Sequence, residues 1–217
     1  MAGPVRGFSR RDGVRTDPRL PPGQYDTGAN WPVLCEEPTP RLDTTTWSFT
    51  VEGLVERRAT WSWDEIRALP ASSYAGDIHC VTHWSKLGIT FTGVSVDSLL
   101  ETAVPLSSAS HVVVHSHTGY TTNLPISDVT GGRAWVVWDV DGQPLPREHG
   151  GPARFLVPHL YFWKSAKWVA GLVQASPPAS VTSAPLAQSV QLGRWAPDGR
   201  GRRVRRQSPR RTGRGRR

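Results

Sequence analysis

The alternation of hydrophobic and polar positions predicts a chain of short strands with two short helices. Apolar residues at every second position predict a strand over 47–53, because strand side chains alternate between two faces. Ser62-Trp63-Asp64-Glu65 is a capping box, so we expect a short helix with Ile66 and Leu69 on its apolar face. A second helix is expected over 95–103, with its two leucines turned inward. Further strands are predicted at 73–79, 111–115, 120–124, 134–140, 153–157 and 168–173.

The order of these elements indicates one mixed α+β domain built on β-sheet. Strands outnumber helices, and the two do not alternate regularly, which disfavours a parallel βαβ fold. Residues 1–29 are rich in Gly, Pro, Arg and Asp and are predicted to form an extended arm before a domain over 30–174. From 175 the composition changes to Ser, Pro and Ala, and then to Arg and Gly. Such a segment buries too little apolar surface to offset its ordering entropy, so 175–217 is predicted to be a disordered tail.

The positive charge of the chain is concentrated in that tail. The formal net charge is +8, yet residues 194–217 contain eleven Arg against one acid and carry +10, which leaves −2 for the rest. A basic tail binds nucleic acid and acidic surfaces without specificity. Contact with nucleic acid is therefore expected only through the tail, and the net charge says little about the folded domain.

The two cysteines, Cys35 and Cys80, are too few for a disulfide framework. Arg10 and Arg11 have no apolar run behind them, so no twin-arginine export signal is expected. No stretch approaches the length of a membrane span. We therefore expect a cytoplasmic protein with free thiols and no membrane span.

The densest chemical cluster is His79-Cys80-Val81-Thr82-His83-Trp84, where a cysteine ends a strand and opens a Gly-containing loop. Three interpretations remain open on these residues alone. Cys80 can be a small buried hydrophobe, a nucleophile activated by a neighbouring histidine, or a soft metal ligand. A zinc site would need four converging ligands, and only His79, Cys80 and His83 are local.

Two further segments carry candidate chemistry. His115 and His117 are expected on one face of a strand, where paired histidines chelate a metal or serve as hydrogen-bonded core residues. His149-Gly150-Gly151-Pro152-Ala153-Arg154 joins a small-residue turn to a strand that an arginine enters, with Lys167 downstream. Glycines let backbone amides approach a ligand, and an inward-facing Arg154 needs a partner such as a buried phosphate.

Four ordered motifs between Pro21 and Val173 resemble the standalone sulfite oxidase-like oxidoreductases. The motifs are 77–85 around Cys80, Gly119-Tyr120-Thr121-Thr122-Asn123-Leu124-Pro125, the segment from His149 to Arg154, and Tyr161-Phe162-Trp163-Lys164-Ser165-Ala166-Lys167-Trp168. The wider superfamily includes sulfite oxidase, assimilatory nitrate reductase and the catalytic subunit of the periplasmic methionine sulfoxide reductase. The resemblance implies a mixed α+β fold around one molybdenum–molybdopterin cofactor (Mo-MPT). It also implies a reaction that transfers an oxygen atom to or from a small substrate.

The same resemblance implies roles for individual residues. Cys80 matches the cysteine whose sulfur binds molybdenum, and His83 and Tyr120 are further candidate catalytic residues. Arg154 and Lys167 would meet the terminal phosphate of the pterin, since a buried phosphate needs several charged donors. An unidentified electron donor or acceptor is also implied, because no haem or flavin motif is present. The full set of implied cofactor contacts is Asn30, His79, Ser116, His149, Arg154, Ser165, Ala166 and Lys167.

The chain departs from the family pattern after its last predicted strand. Family members commonly continue with an aromatic segment containing Gly, Tyr and His, whereas here Val173 is followed by Gln174-Ala175-Ser176-Pro177-Pro178 and the Arg-rich tail. Our hypothesis is that the coding frame shifted, or the terminus was replaced, near Val173. A cofactor-binding but catalytically impaired relative is therefore the second interpretation of the chain.

A milder departure concerns the substrate. Sulfite oxidases hold their anionic substrate with Arg residues soon after the cysteine, where this chain has His83 and Lys86, so sulfite is not expected. The remaining alternatives are a nucleic-acid-associated protein acting through the tail and a thiol hydrolase that uses Cys80 and a histidine.

Overall fold

A computed structural model describes residues 17–34 and 38–176, and within them the chain forms two β-sheets and two short α-helices. The helices are α1 (Trp63–Ala68) and α2 (Val96–Ala103), and single 3₁₀ turns lie at Ile126–Asp128, Arg147–His149 and Phe162–Lys164. The strands, in chain order, are β1 (Tyr25–Asp26), β2 (Ser48–Gly53), β3 (Ala59–Ser62), β4 (Ser72–His79), β5 (Trp84–Ser95), β6 (His111–Ser116), β7 (Thr121–Pro125), β8 (Trp135–Val140), β9 (Gln143–Pro144), β10 (Arg154–Leu156) and β11 (Val169–Ala175).

The first sheet is organised around the long strand β5. Its main path is β1-β5-β8-β10, while β4 also pairs with β5 and β9 with β8. The second sheet has the order β3-β2-β11-β6-β7. Only the β1–β5 and β2–β11 pairs are parallel among these strands, so the described chain is a mixed-sheet fold with few helices, as the sequence predicts.

Two apolar clusters form the core of the described residues. The larger one contains Trp47, Phe49 and Leu99 and draws side chains from both sheets and both helices. The smaller one contains Cys80 and Trp84, together with Ile78, Ile89, Phe91, Val137, Val140, Leu145, Leu156 and Phe162. The predicted capping box is confirmed: Ser62 and Glu65 exchange hydrogen bonds at the start of α1, and Ile66 is fully buried.

The sequence patterns do not predict β5, the long strand around which the first sheet is organised. The expected Gly-containing loop after Cys80 is wrong, because β5 begins at Trp84 and runs for 12 residues through Gly88 and Gly93. Gly93 is required by packing: a Cβ there would lie 2.0 Å from the carbonyl oxygen of Val136 on β8. This glycine lets two paired strands approach closely and does not mark a loop.

The predicted arm joins this sheet at its edge. Tyr25 and Asp26 pair in parallel with Trp84 and Ser85 at the start of β5. The predictions for residues 1–16, for Cys35 and for the tail from 177 onward fall outside the described residues. No helix in 17–34 or 38–176 is long and apolar enough to span a membrane.

Replacing Gly93 with Ala is expected to lower the free energy of unfolding by about 1–3 kcal/mol, because the added methyl must push β8 away from β5. Chemical denaturation followed by circular dichroism measures this change. Thr92→Ala, one residue away, is the matched control, since it removes only an exposed hydrogen bond to Ser73. A loss for Gly93→Ala no larger than that of the control would contradict the close approach of the two strands.

Candidate functional site

Cys80 lies in the tight turn that joins β4 to β5. The Cys80 amide donates to the carbonyl of Trp84 at 2.8 Å, and the His83 amide donates back to the carbonyl of Cys80 at 3.1 Å. His83 closes the turn with a φ of 72°, in the left-handed region that favours glycine. Non-glycine residues in this region store strain of about 1–3 kcal/mol and cluster at functional sites.

The Cys80 side chain is buried, although the rest of its turn is exposed. The residue is 5% exposed, and its Sγ lies 3.1 Å from the hydroxyl of Thr82. The Cys80 carbonyl accepts a hydrogen bond from the side-chain amide of Gln24 at 3.2 Å, so the N-terminal segment is bonded to the turn. Either group can donate the hydrogen bond between Cys80 and Thr82, and the contact orients the sulfur within the turn.

His79 precedes Cys80 and is part of a short hydrogen-bond chain. Its Nδ1 lies 2.8 Å from the Ser85 hydroxyl, which in turn bonds to the side-chain oxygen of Gln24. Burial lowers the pKa of His79, and the nearby carboxylate of Asp77 opposes this effect. His79 is therefore neutral at physiological pH.

The metal interpretations that rest on protein ligands alone are not supported. Among the described residues, no group of three or more His, Cys, Asp or Glu is arranged to hold a metal ion. The expectation that His115 and His117 share a strand face is also wrong. The reason is that β6 ends at Ser116, whose carbonyl accepts from the Gly119 amide, so His117 lies in a turn.

Arg154 is the most unusual buried side chain in the described chain. It is 1% exposed, and its guanidinium donates to the carbonyls of His149 at 2.8 Å and Ser165 at 2.6 Å. Its Nε has no hydrogen-bond partner, and no carboxylate within 17–34 or 38–176 forms an ion pair with it. Burial lowers its pKa to about 9, so it remains a cation at neutral pH. A buried cation without an anion is costly, and carboxylates and phosphates are the anions whose geometry a guanidinium matches.

A glycine turn brings Lys167 next to Arg154. Gly150 has a φ of 110°, and a Cβ there would lie 3.0 Å from both the Arg154 Cβ and the Lys167 Cα. The Lys167 ammonium donates to the carbonyls of Glu148 at 2.7 Å and Leu34 at 2.9 Å. The two turns that carry the cations Arg154 and Lys167 can therefore pack together because Gly150 has no side chain.

Trp31 covers this turn through His149, and the sequence gives no specific signal for the contact. The Trp31 and His149 rings are stacked at 3.7 Å between centroids and 6° between planes. Burial, together with the charges of Arg154 and Lys167, lowers the pKa of His149 to about 4. His149 is therefore a neutral side chain, able to bond to a polar heterocycle without adding charge.

The other predicted contacts are distributed around these groups. Ser116 is buried, and its hydroxyl lies 2.9 Å from that of Thr118 and donates to the Trp168 carbonyl at 3.3 Å. Ser165 and Ala166 are buried beside Arg154, with the Ser165 hydroxyl accepting from the Val157 amide at 3.0 Å.

Two predicted residues are placed less centrally. Asn30 is exposed, and its backbone N–H closes a turn by donating to the Thr27 carbonyl at 3.1 Å. The Tyr120 hydroxyl donates to the Trp163 carbonyl at 2.8 Å, a bond that leads to the 161–168 segment and not to the Cys80 turn. Both assignments stay predictions.

The donors present fit an anionic, heterocyclic cofactor. Besides Arg154 Nε, the indole Nε1 of Trp84 is buried without a hydrogen-bond partner among the described residues. Phe162 packs between them, with its ring 4.0 Å from the guanidinium carbon and 6.2 Å from the Trp84 ring. Buried donors without partners are rare in proteins, so these two are candidates to bond to a bound acceptor; Trp47, Thr122 and Gln174 also carry buried polar atoms without a partner among the described residues.

Comparison with known proteins decides the family. Residues 36–180, more than half of the chain, match the family model of the oxidoreductase molybdopterin binding domain. The chain belongs to this family. Membership confirms the sulfite oxidase-like resemblance and implies a molybdenum–molybdopterin cofactor.

Individual relatives agree with the family assignment. The chain is 40% identical over 155 residues to the oxidoreductase YuiH of Bacillus subtilis, covering 71% of this chain and 78% of YuiH. It is 28% identical over 137 residues to the protein-methionine-sulfoxide reductase catalytic subunit MsrP of Xanthomonas campestris, covering 56% of this chain and 42% of MsrP. The sulfane dehydrogenase SoxCD of Paracoccus pantotrophus shares the fold, with a TM-score of 0.58 and 18% identity over 63% of this chain and 40% of that chain. The chain thus spans less than half of MsrP and of the SoxCD chain.

Arg154→Gln is expected to remove a phosphate site from the folded protein. Inorganic phosphate should raise the melting temperature of the cofactor-free wild type, since a ligand that binds only the folded state stabilises it. The variant should lose this shift, because charged hydrogen bonds contribute about 1.5–3 kcal/mol each. Arg147→Gln, an exposed arginine that donates to the Pro40 carbonyl, is the control. Equal phosphate shifts in wild type and Arg154→Gln would contradict the anion site.

Proposed function

We propose that this chain is a molybdenum enzyme that transfers an oxygen atom to or from a small substrate, with Cys80 as the protein ligand to the metal. The observation that carries the proposal is the buried Arg154 guanidinium, which has two carbonyl partners and no anion among the described residues. The family assignment supplies the identity of the anion, the phosphate of molybdopterin. Cytoplasmic location and contact with nucleic acid through the tail stay predictions.

The chain's own groups divide the work of holding the cofactor. Arg154 and Lys167 would neutralise the phosphate, and the glycine turn would let backbone amides reach it. His149, neutral and stacked on Trp31, would bond to the pterin without disturbing its charge. Asn30, His79, Ser116, Ser165 and Ala166 are proposed as further contacts on the strength of the resemblance.

The Cys80 turn would supply the metal ligand. A soft thiolate stabilises a high-valent metal, and the buried position of Sγ excludes water from it. The Thr82 hydroxyl, 3.1 Å from Sγ, would donate a hydrogen bond to the thiolate and hold its orientation. When bound, the cofactor supplies a metal that alternates between two oxidation levels, and an external electron donor or acceptor restores its starting level.

Molybdenum content tests the proposal directly. The full chain, produced in a host that makes the cofactor, is expected to contain nearly one molybdenum per protein by elemental analysis. Cys80→Ser should lose the metal or alter its visible and electron paramagnetic resonance spectra, because a hydroxyl replaces the soft ligand. Cys35→Ser is the control for the loss of a thiol. Well-folded wild type without molybdenum, or a Cys80→Ser protein with unchanged spectra, would sink the assignment.

An uncharged S-oxide is the second, more specific candidate for the substrate. The name of MsrP assigns that relative to methionine sulfoxide in proteins, whose side chain is uncharged, and the Cys80 turn carries no arginine to hold an anion. Lys86, the nearest lysine in sequence, donates to the Gly28 carbonyl at 3.1 Å and so is engaged by the N-terminal segment.

The loaded protein is therefore expected to reduce dimethyl sulfoxide or methionine sulfoxide with reduced viologen as the electron donor, and to oxidise sulfite at least tenfold less efficiently. Steady-state kcat/KM for both substrates measures this preference. The Cys80→Ser protein serves as the background for both assays. A preference for sulfite would reverse the substrate assignment and leave the molybdenum assignment intact.

A further inference from the structure

The Arg154 guanidinium is closed off from solvent, although the proposed function needs an anion to reach it. The residue is 1% exposed, and its Nε, the atom without a hydrogen-bond partner, is buried. An anion can therefore bind this nitrogen only after a covering group has moved. The proposed function thus requires a route into the site, and the contacts of the guanidinium indicate which cover opens.

Two aromatic rings and two turns lie against the guanidinium of Arg154. The centroid of the Phe162 ring is 4.0 Å from the guanidinium carbon, and that of the Trp31 ring is 5.9 Å from it. Phe162 is 7% exposed and belongs to a 3₁₀ turn. The turns that carry His149 and Ser165 are bonded to the guanidinium through their carbonyls. These three groups are therefore held by the site itself.

Trp31 is the cover with the least backbone support. It is partly exposed, and it lies in the segment from Asn30 to Leu34, which contains no helix or strand. Its side chain is held by other rings: it stacks on His149 at 3.7 Å between centroids, and it meets the Phe91 ring edge-on at 5.8 Å. A segment outside helices and strands opens at a lower free energy than paired strands. Trp31 is therefore the cover that moves most easily.

The segment that carries Trp31 is bonded to the site by two lysines. Lys86 donates to the carbonyl of Gly28 at 3.1 Å, and Lys167 donates to the carbonyl of Leu34 at 2.9 Å. We call residues 28–34 the strap. A phosphate oxygen is a stronger acceptor for an ammonium group than a carbonyl, so a phosphate bound to Lys167 would compete with the end of the strap.

We propose that the strap is a gate: Trp31 closes it against the Arg154 guanidinium, and it opens about Gly28 to admit a phosphate group. The inference rests on the proposed function for the identity of the anion, and it adds the conformational step that precedes binding. Gly28 has a φ of 58° and lies just beyond β1, which stays paired with β5 during the movement. Opening gives up the stack on His149 and the bond from Lys167, and it requires no unfolding of the sheets.

Chemical labelling of Arg154 tests the gate in the full chain without cofactor. Phenylglyoxal modifies accessible arginines, and mass spectrometry of the peptide that contains Arg154 gives its labelling rate. Trp31→Ala should raise this rate about tenfold, because loss of the stacked ring favours the open strap. Trp31→Phe keeps an aromatic face and should retain most of the protection. The exposed Arg147 is the internal reference and should react equally in every protein.

Trp135→Ala is the matched control for the loss of a tryptophan. Trp135 is also partly exposed, and its ring packs against that of Tyr74 on β4. It should leave the labelling of Arg154 unchanged. Equal rates in wild type and Trp31→Ala overturn the inference, and so does an equal acceleration by Trp135→Ala, since that would reflect general destabilisation.

The wild type alone provides a second test that does not depend on the folding of any variant. The rate for Arg154, divided by the rate for Arg147, is measured at several temperatures below the melting transition. Local opening should change this ratio only modestly with temperature, because it involves a small part of the chain. Global unfolding has a large enthalpy, so it would raise the ratio steeply. A ratio that follows the enthalpy of global unfolding overturns the gate.

The molybdenum-loaded protein separates this inference from the proposed function. In loaded Trp31→Ala, the phosphate of the cofactor should protect Arg154, whereas the same variant without cofactor is labelled quickly. Quick labelling of both forms would support the gate and contradict the phosphate assignment. Slow labelling of the cofactor-free variant would overturn the gate and leave the assignment of the cofactor intact.

Discussion

The candidate site depends on one electrostatic constraint, the burial of the Arg154 guanidinium. Its removal from water is costly, and the two carbonyls that receive its hydrogen bonds, from His149 and Ser165, only partly compensate. Those carbonyls belong to two turns, so the guanidinium joins them. Gly150 allows the turns to approach, because any Cβ there would press on Arg154 and Lys167. The remaining favourable interaction must come from an anion, which is what the family's cofactor carries.

The second constraint is the length of β5. This strand pairs with β1, β4 and β8, so its first residues hold both the Cys80 turn and the N-terminal segment. Gln24 and Trp31 lie on that segment, the first bonded to the Cys80 carbonyl and the second stacked on His149. The Cys80 turn and the turn that contains His149 are thus both contacted by one stretch of chain that comes from far away in sequence.

Local signals predict what local interactions determine, and no more. The capping box at Ser62 and the strand that ends at His79 are set by neighbouring residues, so both can be predicted from the sequence. The glycines of β5 suggest a loop because the requirement for Gly93 comes from β8, more than forty residues away. The burial of Arg154 is predictable from its place in an apolar strand, whereas its stacking and carbonyl partners depend on turns that no spacing rule fixes. The prediction for His117 is wrong for a related reason. It assumes that the strand continues past Ser116, whereas β6 ends there and the chain turns.

The sequence departs from the family pattern after Val173, and the first residues of that departure lie inside β11. Their packing indicates which part of the candidate site the departure affects. β11 extends to Ala175, and Gln174 is 1% exposed with both side-chain polar atoms lacking a hydrogen-bond partner among the described residues. A buried, unsatisfied amide costs about 1–3 kcal/mol, so the segment is locally unfavourable. The cost is borne by the second sheet, where β11 pairs with β2 and β6. Cys80 follows β4 and Arg154 begins β10, both strands of the first sheet, so this defect weakens the support of Ser116 on β6 more than it affects Cys80 or Arg154.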